Sequence, residues 1–257
     1  MKKYLYQRSI ELTNGAFTSN LIRQFAQSKN SRRFIPGYIK AYQILTDDVE
    51  EPLDSFPTLH AFFVRKLTVD SRPVSSVSVV SPVDGKIEIA GDLQEDVRFL
   101  VKGQHYSLAD LLGDKDLADR YHNGKYAVLY LSPADYHRIH SPVDGKVKKQ
   151  FVLGKKSYPV NAAGLQYGKA PISGNYRMIT ELETAFGKIL LVKVGAMFVN
   201  SIKLTETGND WKKGNEIGYF SFGSTVVLFF EKDSIKFVED MSNGQRIKVG
   251  EALGNMI

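Results

Sequence analysis

The sequence predicts an α+β chain that is predominantly β, with an amphipathic helical segment at the N-terminus and a β-rich body behind it. Two observations carry this. Helical spacing of apolar residues is concentrated ahead of Pro52, whereas beyond it short β-branched and aromatic runs recur between Gly, Pro and Asp punctuation. A chain of 257 residues that is 43% hydrophobic is long enough to bury a full core.

In the N-terminal segment, Phe17, Leu21 and Phe25 stand four apart with Ile22 beside them. Thr18 or Ser19 is placed to cap a helix there, and Phe34-Ile35-Pro36 is expected to interrupt or end it. The acidic cluster Asp47-Asp48-Val49-Glu50-Glu51 and Pro52 close the segment. The division expected is a helical membrane-associating segment over 1–50 and a catalytic body over 51–257.

Charge is distributed unevenly along the chain. The first forty residues carry Lys2, Lys3, Arg8, Arg23, Lys29, Arg32, Arg33 and Lys40 against the single acid Glu11, although the whole chain is only +6. A basic patch with apolar residues interleaved fits an anionic surface, lipid or nucleic acid, and the amphipathic spacing favours a helix lying on a membrane. A helical hairpin packed over the core is the structural alternative. No apolar run reaches the roughly 18 residues of a spanning helix, and the N-terminus lacks a signal-peptide apolar core, so the expectation is peripheral attachment. With no cysteine, thiol nucleophiles, thiolate metal sites and disulfides are excluded.

Four strand signals follow in the body: Lys86-Ile87-Glu88-Ile89, Tyr126 to Leu131, Lys188 to Val194, and Thr225 to Phe230. Ser107-Leu108-Ala109-Asp110-Leu111-Leu112 is the best short helix. Ser-Pro-Val-Asp-Gly-Lys occurs twice, at 81–86 and 141–146, and suggests two similar strand-turn-strand corners in a sandwich.

Chemistry can be sought in Asp84, His140 and Ser224. A nucleophilic serine needs a base for its proton, and the base needs a group that fixes its tautomer. Aspartate in a Pro-Val-Asp-Gly turn also has a purely local use, bonding its own backbone. Ser224 lacks the Gly-x-Ser-x-Gly elbow of α/β-hydrolases, since Thr225 and Val226 follow it. Gly223 directly before it instead favours attack by the hydroxyl on the preceding carbonyl, because glycine permits unusual backbone geometry. His137-x-x-His140 with His105, His122 or Asp135 forms no recognised metal motif, so no metal is expected. His60 reads as structural.

Tyr136-His137-Arg138-Ile139-His140, the two Ser-Pro-Val-Asp-Gly-Lys copies and Phe222-Gly223-Ser224-Thr225 together resemble the phosphatidylserine decarboxylase family, in its compact bacterial form. Further likeness runs through Phe62-Phe63-Val64-Arg65-Lys66-Leu67, Arg72-Pro73, Leu131-Ser132-Pro133, Tyr158-Pro159-Val160-Asn161, Asn175-Tyr176-Arg177 and Val194-Gly195-Ala196-Met197. Phe222 stands where the family more often has leucine, a conservative change, and Lys86 and Lys146 stand where the family varies.

The resemblance implies a barrel-sandwich-like β body and a proenzyme. In that family Asp84, His140 and Ser224 would drive cleavage of the Gly223-Ser224 bond. The fragments would be 1–223 and 224–257, with Ser224 converted to a covalent pyruvoyl group. That group forms a Schiff base with phosphatidylserine and releases CO2, giving phosphatidylethanolamine without an added cofactor. His137 is the candidate proton donor for the carbanion, and the guanidinium forks of Arg65 and Arg177 suit either the lipid phosphate or pairing with the chain's own acids. The partners implied are phosphatidylserine, the cytoplasmic membrane face, and the two fragments as a heterodimer that can pair further; nucleic acid is not among them. The competing readings are a pyruvoyl decarboxylase of a soluble amino acid, a serine esterase using unprocessed Ser224, and a carrier domain. The last lacks a Met-Lys-Met or Asp-Lys-Ala centre.

Overall fold

The computed structural model describes residues 16–94, 98–101, 103–155, 158, 171–195, 202–221 and 224–257. Helix α1 covers Ala16–Gln27 and a 3₁₀ turn covers Lys29–Phe34, followed by α2 at Ile35–Tyr42. Two local expectations are corrected here. Thr18 and Ser19 lie inside α1 and not at its cap, and Pro36 opens α2 instead of ending a helix. Proline lacks only an N–H that the first helical turn leaves unbonded anyway, so it starts a helix as readily as it stops one. Ile35 and Ile44 pack with Phe56 and with Phe62 of the short helix α3, Leu59–Phe63, into a small core of their own.

The body is built from antiparallel strands. In chain order they are β1 Val79–Val80, β2 Gly85–Asp92, β3 Arg98–Val101, β4 Gln104–Ser107, β5 Lys125–Leu131, β6 Arg138–His140, β7 Gly145–Leu153 and β8 Arg177–Thr184. They continue with β9 Gly187–Gly195, β10 Ile202–Leu204, β11 Asp210–Trp211, β12 Glu216–Phe220, β13 Ser224–Phe230, β14 Ile235–Phe237, β15 Arg246–Ile247 and β16 Ala252–Met256. Between β4 and β5 lie α4, Leu108–Leu112, and α5, Lys115–Asp119. Ser107 caps α4 by accepting from the Asp110 N–H at 3.3 Å, as the serine before that apolar run suggests.

One eight-stranded sheet runs β11-β7-β8-β9-β13-β5-β2-β15, and two three-stranded sheets run β1-β16-β14 and β10-β12-β6. The central strand β13 alternates its side chains between two cores. Val226, Leu228 and Phe230 join the core shared with both small sheets, whereas Val227 and Phe229 join the core under α4, α5 and the β3-β4 hairpin. Every residue of β13 is buried, which explains its continuous apolar run.

The sheet order is symmetric about the β9/β13 pair, and the symmetry extends to detail. β1, β2, β5, β13, β14, β15 and β16 match β6, β7, β8, β9, β10, β11 and β12 in turn. A bulge interrupts β2 between Ile87 and Ile89 and β7 between Val147 and Lys149. Val79 pairs with Gly254 and Val80 with Ala252, just as Ile139 pairs with Gly218 and His140 with Glu216. The body is therefore two copies of one β unit. The second copy, 138–220, is inserted into the first where β5 and β13 would otherwise form a hairpin like β8 and β9.

One buried lysine departs from the apolar pattern. Lys193 of β9 is fully buried, donating from Nζ to Thr180 Oγ1 at 2.7 Å and lying 5.6 Å from the Trp211 ring centre. Burial pushes its ammonium down to about 7. A lowered lysine pKa costs stability fully below that value, and the cost fades as pH rises towards the unfolded-state value. Lys193→Met is expected to stabilise the fold by about 1–4 kcal/mol. Thermal unfolding should show the gap widest in mildly acidic buffer and narrowest in alkaline buffer, and a destabilised variant at acidic pH would refute the assignment.

Candidate active site

The two repeated hexapeptides form matching corners that hold one another. The Val80 N–H donates to Pro142 O at 2.9 Å, and the His140 N–H donates to Pro82 O at 2.8 Å. Within each corner the serine hydroxyl donates to the valine carbonyl at 2.7 Å, Ser81 to Val83 and Ser141 to Val143. Gly85 is required by packing, because a Cβ there would collide with the Tyr130 carbonyl oxygen. This exchange brings the Asp84 corner and His140 side by side.

Asp84 is nearly buried and its carboxylate is saturated. Arg72 Nε donates to Oδ1 and Oδ2 at 2.9 and 3.0 Å, Arg72 Nη2 donates to Oδ2 at 2.6 Å, and the Val249 N–H donates to Oδ1 at 2.8 Å. Arg72 Nη1 reaches Asp48 Oδ2 at 2.8 Å. Burial opposes the guanidinium's charge, but bonding to Asp84 and then Asp48 outweighs it and holds Arg72 above its ordinary value. Asp84 thus ties the helical segment, the first corner and the C-terminal strands together.

His140 Nδ1 lies 2.7 Å from Gly214 O, and Nε2 lies 3.1 Å from the Tyr136 hydroxyl. Because a carbonyl can only accept, Nδ1 carries the proton and Nε2 presents its lone pair. Burial lowers the His140 pKa, against the opposing effects of the Gly214 bond, Glu216 and Asp84, so the ring is held neutral. Asp84 therefore acts on His140 through space and makes no hydrogen bond to it.

His137 is completely buried, with Nδ1 2.8 Å from Asp135 O and its ring centre 4.0 Å from that of Phe63. Burial pushes it down to about 3, and Nε2 has no partner among the described residues. Asp135 is itself anchored, accepting from Ser132 N and Oγ at 2.6 and 2.8 Å and pairing with Arg246. Phe220 N donates to His137 O at 3.0 Å, while Ser224 pairs with Leu131 at the head of β13. Both ends of the short connection from β12 to β13 are thereby pinned to the segment running from Leu131 to His137.

Ser224 sits between Leu131 of β5 and Gly195 of β9, fully buried, and its Oγ has no hydrogen-bond partner among the described residues. Thr225 Oγ1 is likewise unpartnered. A buried hydroxyl without a partner costs about 1–3 kcal/mol, so the position calls for an explanation beyond packing. Gly223, the other half of the expected cleavage site, lies outside the described residues, as does Phe222. Asp84 and His140 are brought together on adjacent corners, whereas no hydrogen bond joins either to Ser224.

Of the residues considered for phosphate, Arg177 is committed elsewhere. Its three nitrogens donate to Leu111 O, Asn175 O and Asp110 O at 2.6, 2.9 and 3.0 Å, and burial lowers its pKa to about 10. Arg65 is buried over the Phe62 ring, with Nη2 3.2 Å from Ala134 O. Among the described residues no group of three acidic or histidine side chains could hold a metal. Sequence reasoning missed Arg72, Tyr136 and Gly214 as partners of the site, although the first two lie within quoted motifs.

The fold and the site together present a buried serine at the head of a central strand and, on neighbouring elements, two imidazoles that burial holds neutral. The chain belongs to the phosphatidylserine decarboxylase family, whose profile matches residues 59–255. It is 49% identical over its full length to the phosphatidylserine decarboxylase proenzyme of Bacillus mycoides (strain KBAB4), covering 99% of that protein. It is 50% identical, with the same coverage, to the phosphatidylserine decarboxylase proenzyme of Bacillus cereus (strain ATCC 10987 / NRS 248).

Proposed function

We propose that this chain is a proenzyme that cleaves itself between Gly223 and Ser224 and then decarboxylates phosphatidylserine to phosphatidylethanolamine. The observation that carries the reading is the buried, unpartnered Ser224 hydroxyl at the start of β13. In the proposed processing, His140 takes the Oγ proton, Oγ attacks the Gly223 carbonyl carbon, and the proton passes to the Ser224 nitrogen as the C–N bond breaks, so the acyl group moves from nitrogen to oxygen. Loss of the Ser224 α-proton then expels the Gly223 carboxylate and leaves dehydroalanine. Water hydrolyses its imine tautomer, releasing ammonia and leaving the pyruvoyl group. Asp84, fixed by Arg72, supports positive charge on His140 from a distance.

The pyruvoyl group supplies an electrophilic carbonyl for the substrate amine and a sink for the electrons left by CO2. His137 Nε2 is a lone pair and not a proton in this structure, so as a donor it must first be loaded. The substrate ammonium, which has to lose a proton before it reacts, is the natural source. The burial that disfavours the charged ring then makes it a strong acid towards the product carbon.

Two further features fit. The small fragment would contribute β13 to β16, and β13 is hydrogen-bonded along its whole length to β5 and β9, so both fragments would stay joined as a heterodimer. Phe25, Phe34, Tyr42 and Leu53 are exposed, and Leu21 is 57% exposed, beside Lys29, Arg32 and Arg33. An open cavity of 800 Å³ is lined by those three cations with Ile35, Ile39 and Leu53. Apolar side chains rimmed by cations suit peripheral attachment to an acidic membrane. No described helix is long and apolar enough to cross a membrane.

Three measurements test the reading. Intact mass under denaturing conditions should give fragments dividing at Gly223/Ser224, the smaller bearing a pyruvoyl end, and Ser224→Ala should give one chain without decarboxylase activity. A single unbroken chain in an active wild-type preparation would remove the mechanism and favour an esterase. His137→Ala should still cleave yet decarboxylate at least about a hundredfold more slowly, and loss of cleavage would reassign the two histidines. Retention on anionic vesicles at low salt should fall at least about tenfold in the double variant Arg32→Glu, Arg33→Glu, whereas equal retention would place the membrane contact elsewhere.

A further inference from the structure

The Tyr136 hydroxyl occupies the one lone pair through which His140 could act as a base. With Nδ1–H committed to Gly214 O at 2.7 Å, Nε2 is the only basic nitrogen on the ring, and the phenol stands 3.1 Å from it. Tyr136 is nearly buried, and burial, reinforced by Glu216, raises its pKa, so it donates a hydrogen bond there and keeps its proton. The pair lines a cavity of 370 Å³ that also meets Arg72, Gly214, Glu216 and Val249.

We infer that Tyr136 is a positioning residue that latches His140 in its neutral, Nδ1-protonated form, and that its hydroxyl must leave Nε2 before His140 can take the Ser224 proton. This rests on the proposed role of His140 in self-cleavage. No covalent bond to Tyr136 is involved: it releases one hydrogen bond, and the serine hydroxyl takes its place on the same lone pair. Val80, the counterpart of His140 in the other copy, carries no such nitrogen, which confines the latch to one of the two corners.

The charged groups facing His140 come from several elements. Glu216 projects from β12 and is paired with Arg138 of β6 at 2.7 Å, while Asp84 projects from the first corner and is paired with Arg72 at 2.6 Å. Each nearby carboxylate is thus matched by an arginine. Burial, with Arg138, already favours the neutral ring, and the Tyr136 bond adds a directed interaction to that form alone, so removing it favours the charged one.

The test is the rate of self-cleavage of freshly translated full-length chain, followed on denaturing gels across a pH series, for wild type and Tyr136→Phe. The acid limb of the variant's profile should move to higher pH, and its alkaline plateau should rise roughly three- to tenfold, the value of one released hydrogen bond. An unmoved limb, or a plateau that stays level or falls, overturns the latch. A wild-type chain that never cleaves refutes instead the function on which it rests. Nitrogen NMR of the uncleavable Ser224→Ala precursor gives an independent reading that needs no Tyr136 variant. His140 should be Nδ1-protonated with a hydrogen-bonded, proton-accepting Nε2, and the opposite tautomer or a charged ring at neutral pH overturns the inference.

Discussion

The reciprocal pair of backbone hydrogen bonds between the two corners, Val80 to Pro142 and His140 to Pro82, is the constraint on which the rest of the site depends. Proline has no N–H of its own to satisfy at these corners, and each proline carbonyl accepts from the neighbouring copy. Because each corner satisfies the other, neither can move alone. Asp84 and His140 come from different copies of the repeat, and this exchange fixes their relative position. The same corners carry the same serine-to-valine carbonyl bond, so the scaffold is duplicated while the chemistry is not.

Asymmetry enters through the side chains that meet each corner from outside the repeat. At the first corner Arg72 and Val249 saturate Asp84, whereas at the second Asp144 is exposed and accepts from the Lys213 N–H at 3.1 Å. Arg72 comes from the segment that links the N-terminal helices to the body and is shared with Asp48 of that segment. The N-terminal segment that carries the exposed apolar and basic side chains is therefore tied electrostatically to the carboxylate beside His140. The pair is only slightly exposed, so it is screened far less than a surface ion pair would be.

Much of the body was legible because its elements carry local signals. The runs at Tyr126 to Leu131, Lys188 to Val194 and Thr225 to Phe230 are strands β5, β9 and β13, and Ser107 caps α4. Asp84, His140 and Ser224 stood out by motif. What stayed hidden depends on contacts distant in sequence. A single shared hexapeptide gave no measure of a duplication that is plain in the register of paired strands, since register depends on backbone geometry that many sequences satisfy. Arg72 meets Asp84, and Gly214 meets His140, only after folding. Pro36 was misread because proline's effect depends on whether it falls in the first turn or the interior of a helix.

The duplication also explains why a break at the proposed position can be tolerated. In the second copy β8 and β9 are joined by a tight hairpin between Thr184 and Gly187, and Ser224 occupies in the first copy the place that Gly187 holds in the second. The chain between Leu131 and Ser224 is an insertion at a hairpin tip, so breaking it just before Ser224 leaves every strand pair of both copies intact. β13 keeps its ladders to β5 and β9, and Val249 keeps its bond to Asp84 across the two fragments. A new chain end inside a strand would leave backbone groups buried without partners, at a cost of about 1–3 kcal/mol each. At the tip the same end is formed where pairing already stops, and the residue it frees is the one whose side chain lies on the core face that β13 shares with Leu131 and Val226.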